Sequence, residues 1–94
     1  MMKTEQVFKA LADPNRMKIL NNLCSRDCAC NVGEVAGCCT VDLSVVSRHL
    51  AILKNAGIVS ADKRGKEVFY HVNRKEVAAL LRQTAANIEK SCCS

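Results

Sequence analysis

The sequence predicts a mainly α domain with a small β-hairpin, and three observations carry that prediction. Apolar residues recur at helical spacing through the first half of the chain. The pattern changes to β-prone runs only at IVSADK and EVFYHV, on either side of Arg64-Gly65-Lys66. A helical stripe then resumes from Arg74 to Lys90. The 94 residues read as one domain over 1–90 followed by a cysteine-containing tail over 91–94, with no linker, repeat or low-complexity segment. Hydrophobic residues make up 49% of the chain, but its only aromatics are Phe8, Phe69 and Tyr70. A core this modest gains from burial against a second copy.

Each element follows from its local pattern. Val7, Phe8 and Leu11 have the spacing of a short first helix, ended by Asp13-Pro14. Asp there can cap, and Pro suits the first turn of a second helix. In that helix Met17, Leu20, Leu23 and Cys24 are placed on one buried face. The polar SRDCACN segment breaks it, and Val32, Val35, Ala36 and Cys39 mark a third short helix. Asp42 is the expected N-cap of a fourth, with Val46, Leu50 and Leu53 as its buried stripe and Gly57 as its left-handed stop. Arg64-Gly65-Lys66 reads as a hairpin tip. Along the final helix, Val77, Leu80, Leu81, Thr84, Ala85 and Ile88 form a stripe longer than a small domain can cover. That helix and the first are therefore the expected interface of a homodimer.

Charge separates along the chain. From Arg48 to Lys75, seven basic residues stand against Asp62 and Glu67, so this segment carries the whole net charge of +5. Such segregation is the footprint of a polyanion-binding surface, or of a solvated face. Two short helices joined by a tight turn and followed by a basic hairpin give the order of a winged helix-turn-helix, whose second helix enters the major groove of DNA. The inward stripe of the fourth helix leaves Ser44, Ser47, Arg48 and Ala51 outside, with His49 on the flank. Arg48 can reach guanine or phosphate, and the serine hydroxyls can donate or accept. For His49 a phosphate contact is the favoured role over metal ligation. Arg64 and Lys66 would lie along the backbone or in the minor groove.

The segment DLSVVSRHLAILKNAGIVSADKRGKEVFYHV resembles the ArsR/SmtB family of winged-helix metal-sensing repressors, in its SRHL core, LKNAGIV exit and KRGKEVFYHV wing. The upstream ALADPNRMKILNNL extends the resemblance over nearly the whole chain. It implies a homodimer paired through its first and last helices, which sits on operator double-stranded DNA without any cofactor and lets go when metal binds. One departure is Leu43, where many relatives carry a polar residue. A leucine there can meet thymine methyls, so the operator is expected to differ.

Seven cysteines in a chain that opens on MMKTEQVF, with no secretion signal behind it, point to a reducing, cytoplasmic setting. No apolar run approaches a membrane span. In arsenic-sensing relatives the ligands lie in a CVCDLC motif, whose cysteine positions fall here on Asn31, Gly33 and Ala36. The thiols available instead are Cys28 and Cys30, Cys38 and Cys39, and Cys92 and Cys93. Neither CxxC nor HxxxH occurs, and the last helix lacks the histidine-and-acid set with which some of the family bind zinc. Sulfur-only sites favour soft ions, and CxC or vicinal pairs suit a trivalent metalloid. The expected inducer is As(III) or Sb(III), with Cd(II), Zn(II) or Cu(I) as alternatives. If the chain between Cys30 and Cys38 is mostly helical, the two pairs lie roughly 12 Å apart. Each pair must then recruit another ligand, and the tail of either protomer is the nearest source. Cys24 is expected to pack in the core and Cys39 partly so, whereas Cys28 and Cys30 sit in a polar segment with no packing role.

Two other functions share these features. A redox sensor on the same scaffold would oxidise its paired cysteines to disulfides, and a metal-buffering protein would bind metal without any operator. No nucleophile–base constellation or phosphate-binding glycine loop is present, so an enzyme is not expected.

Overall fold

The computed structural model describes residues 3–26, 29–36 and 42–90. In chain order they form α1 (Thr4–Leu11), α2 (Pro14–Cys24), β1 (Cys30–Asn31), α3 (Val32–Ala36), α4 (Leu43–Asn55), β2 (Val59–Arg64), β3 (Glu67–Val72) and α5 (Arg74–Glu89). This is the winged helix-turn-helix order anticipated from the sequence, with one addition. The hairpin β2–β3 is joined by β1 into a three-stranded antiparallel sheet of order β1-β3-β2, with Cys30 opposite Tyr70 and Asn31 opposite Phe69.

Local chemistry explains the helix ends. The Asp13 carboxylate accepts hydrogen bonds from the backbone N–H of Asn15 (2.8 Å) and of Arg16 (3.1 Å), capping α2 while Pro14 occupies its first position. Those bonds to the ionised form, that from Arg16 foremost, hold the Asp13 carboxyl below its ordinary value of 3.8. Asn31 and Glu34 open α3 with a reciprocal box: Glu34 N–H donates to Asn31 Oδ1 and Asn31 N–H to Glu34 Oε1, both at 2.9 Å. Asp42 caps α4 through its backbone alone, its carbonyl accepting from Val45 and Val46, and its side chain makes no capping bond.

At the far end of α4 the chain reverses as foreseen. Gly57 adopts φ 85°, its N–H donates to the Lys54 carbonyl, and Ile58 N–H donates to the Leu53 carbonyl. Both bonds satisfy carbonyls that the helix would leave open, and the buried Ile58 packs where this motif places its apolar contact. Gly65, at φ 63°, supplies the first residue of the two-residue hairpin turn between Arg64 and Glu67.

The core lies between the sheet and the inner faces of α1 to α4. Val46, Leu50 and Leu53 are fully buried, as their spacing predicts. Other stripes are turned relative to expectation. In α2 it is Ile19, Leu20 and Leu23 that are buried, while Met17 and Cys24 are exposed; in α1 the buried pair is Val7 and Ala10, with Phe8 41% exposed. The core thus sees α1 and α2 from about one residue to the side of the face predicted. Cys30, assigned no packing role from its polar neighbours, is 1% exposed and belongs to the core. Strand pairing with β3 turns its side chain inward, and a thiol behaves there as a small apolar group. Helix α5 commits Val77 to the core and rests Leu80 against it; from Leu81 onward every described residue except Thr84 is exposed, Ile88 by 79%.

Candidate nucleic-acid interface

With Val46, Leu50 and Leu53 turned inward, α4 exposes Ser44, Ser47, Arg48 and Ala51, and its first residue, Leu43, is 57% exposed. The three polar residues are those expected to read DNA. At the hairpin tip Lys63, Arg64 and Lys66 are exposed. Arg64 is not a loose cation: its Nε donates to Asp62 Oδ2 at 3.2 Å, and its guanidinium lies 5.1 Å from the centre of the Phe69 ring. An exposed ion pair of this kind adds little stability, but it aims the side chain along the wing.

His49 differs from its neighbours. It is half-buried, with Nδ1 3.3 Å from Arg16 Nη1. Arg16 is itself tied to the end of α1, donating through Nε to the Ala10 carbonyl and through Nη2 to the Lys9 carbonyl, the latter at 3.4 Å. Asp13 Oδ2 stands 4.0 Å from Nη1. A cleft of about 330 Å³ beside this group is lined by Gln6, Lys9, Arg16, Ile52 and Asn55 among others. Sequence reasoning missed the cluster because its members lie on three helices. The only local signal was Asp13 and Arg16 at i, i+3 on one helix start.

Two junctions at the start of α5 tie the elements together. Asn73 Nδ2 donates to the Gly57 carbonyl (2.9 Å), Ser60 Oγ donates to Asn73 Oδ1 (2.8 Å), and Asn73 N–H donates to the Ile58 carbonyl (2.9 Å). One asparagine therefore joins the exit of α4, the start of β2 and the entry to α5. Arg74 Nη2 donates to the carbonyls of Leu23 (3.3 Å) and Arg26 (2.8 Å), closing the end of α2.

Of the thiols expected to bind an inducer, Cys30 is in β1, while Cys28, Cys38, Cys39, Cys92 and Cys93 lie outside the described residues. Among the described residues no three His, Cys, Asp or Glu side chains gather as a metal site. The positions that correspond to the CVCDLC cysteines serve α3 differently: Asn31 caps it, and Gly33 and Ala36 lie within it.

Comparison with known proteins accords with this geometry. The family model described as bacterial regulatory protein, arsR family, matches residues 13–61. The chain is 37% identical over 98 residues to the arsenical resistance operon repressor of Bacillus subtilis, covering 97% of this chain and 90% of that protein. It is 36% identical over 78 residues to the cadmium resistance transcriptional regulatory protein CadC of Listeria innocua, covering 79% of this chain but 61% of that one. Among solved structures, the homodimeric winged helix-turn-helix DNA-binding domain Mb0332 from Mycobacterium bovis superposes with a TM-score of 0.72 at 32% identity, over 88% of this chain and 77% of that chain.

Proposed function

The chain belongs to the arsR family of bacterial regulatory proteins, which makes it a transcription regulator rather than an enzyme, and from that premise we propose a metal(loid)-responsive repressor. It binds operator DNA as a homodimer and is released by a thiophilic inducer, As(III) or Sb(III) first among candidates. One observation carries the DNA-binding half: α4 buries its entire apolar stripe and leaves Ser44, Ser47 and Arg48 exposed. Arg48 reads guanine or phosphate, the serines supply adaptable hydroxyls, and Arg64 and Lys66 hold the flanking backbone. The exposed apolar residues Phe8 on α1 and Leu81 and Ile88 on α5 support dimerisation through these two helices. No helix among the described residues is long and apolar enough to cross a membrane. A cytoplasmic location is part of the proposed reading, because the protein would act on operator DNA.

The arsenical repressor of Bacillus subtilis supports arsenic as inducer, and the CadC likeness keeps Cd(II) as the second choice. Thiolate sulfur suits either ion. Cys30, the one described thiol of the proposed set, is buried in the core opposite Tyr70. A ligand drawing on it must open the edge of β1, which would couple inducer binding to the sheet that carries the wing. Cys28, Cys38, Cys39, Cys92 and Cys93 are the other proposed donors. The cysteine thiolates would hold a bound metalloid through sulfur, and release would follow if that ligation were complete only in the weak-binding conformation of the dimer. Typical couplings of about 1–3 kcal/mol correspond to 5–150-fold changes in affinity.

The test is operator binding by the reduced protein, titrated with As(III), Sb(III), Cd(II), Zn(II) and Cu(I). It is repeated with Cys28/Cys30, Cys38/Cys39 and Cys92/Cys93 each changed to Ser. Release by arsenite that at least one pair change abolishes supports the reading. Release by peroxide alone would replace it with redox sensing, and binding without any sequence preference would leave a metal buffer.

A further inference from the structure

The contact between Arg16 and His49 restricts the histidine's chemistry. A guanidinium has five N–H donors, no acceptor, and stays charged. A ring nitrogen held 3.3 Å from Arg16 Nη1 therefore has to offer its lone pair, which makes Nδ1 of His49 the acceptor. The imidazole proton then resides on Nε2. Arg16 cannot easily turn away, because Nε and Nη2 are both committed to carbonyls at the end of α1 and the side chain is only 15% exposed. His49 follows Arg48 on α4, at the border between the buried stripe and the exposed face.

We infer that Arg16 is a positioning residue of the DNA-reading surface: it locks His49 in the neutral tautomer with the proton on Nε2, giving α4 a fixed N–H donor for a DNA phosphate. This rests on the DNA-binding reading above and adds to it a residue of another helix that touches no DNA. Arg16 serves α1 and α4 together, so a shift of α1 at the proposed dimer interface withdraws the donor from which His49 Nδ1 accepts. Without Arg16 the ring is free to exchange tautomers and rotate, and a phosphate then meets a donor in only part of the population.

Two measurements on the full chain test this. The first is two-bond nitrogen–proton correlation of the imidazoles, with the exposed His71 assigned through His71→Gln. Wild type should show His49 protonated on Nε2, and Arg16→Lys, which keeps the charge but loses the planar fork, should show a tautomer mixture. The second is affinity for the duplex that wild type selects from a random-sequence library, compared across Arg16→Lys, Arg16→Ala, His49→Ala and Arg16→Ala/His49→Ala. Each single change should weaken binding on the order of tenfold, and the double change no more than the worse single one. Thermal unfolding of each variant separates this from loss of fold, and Arg16→Lys serves if Arg16→Ala does not fold. A wild-type His49 protonated on Nδ1 overturns the proposal, as do losses that multiply in the double variant. If wild type selects no duplex, the DNA-binding reading fails and takes the donor role with it, while the tautomer still decides whether Arg16 positions the ring.

Discussion

Asn73→Ala should unsettle the joint between α4 and the last helix. The side chain makes two hydrogen bonds in a partly buried site: it donates to the Gly57 carbonyl and accepts from Ser60 Oγ. At about 0.5–1.5 kcal/mol each, their loss amounts to roughly 1–3 kcal/mol. The Gly57 carbonyl sits in the turn that ends α4 and loses its side-chain donor, which moves the cost toward the upper end. In a domain of this size, about 1 kcal/mol corresponds to roughly 4–8 °C in Tm. Ser60→Ala removes only one of the two bonds and should cost about half as much. The assay is urea unfolding at fixed protomer concentration, because any dimer makes the midpoint depend on concentration. An unchanged m-value would show that the same unfolding transition is compared. The reasoning is refuted if Asn73→Ala falls within about 0.5 kcal/mol of wild type, or if Ser60→Ala costs as much as Asn73→Ala.

Asp13 should make stability fall in acid. Its folded pKa lies below the unfolded value, so its contribution is complete above the unfolded pKa and is lost as pH falls through the folded one. Comparing unfolding midpoints of wild type and Asp13→Asn between neutral pH and about 3 should show a shallower acid decline in the variant, which keeps a capping acceptor but no titrating carboxyl. Arg48→Ala should weaken duplex binding and, if the side chain meets phosphate, reduce the slope of log affinity against log salt by about 1; an unchanged slope with relaxed sequence preference would assign it to a base. Leu43 should read a thymine methyl. Replacing the facing thymine of the selected duplex by deoxyuridine should weaken wild type roughly fourfold, the worth of one buried methyl at about 0.8 kcal/mol, and leave Leu43→Ala unaffected.

Much of the fold was legible because it is written locally. Val46, Leu50 and Leu53 repeat at helical spacing, Gly57 stands where a left-handed residue ends the helix, and Gly65 stands where two β-prone runs must reverse. Strand β1 was not legible, since two residues show no periodicity and Cys30 becomes a strand residue only by pairing with Tyr70. The phases of α1 and α2 were misjudged for a related reason. Spacing says that a face will be buried, but the partner decides whether that face holds Met17 and Cys24 or Ile19.

By itself the sequence determined the order of the helices and the hairpin, the stripe that α4 must bury, the basic wing and so the polar residues that α4 leaves exposed. Periodicity, capping and turn chemistry act over a few residues, and a few residues suffice to read them. Only the tertiary structure decided that Cys30 is a core residue, that Arg64 is held between Asp62 and Phe69, and that Asn73 joins α4, β2 and α5. The meeting of Arg16 with His49, 33 residues along the chain, belongs to the same class. Such a contact depends on how two helices pack against a third, and no property of either segment alone encodes that angle.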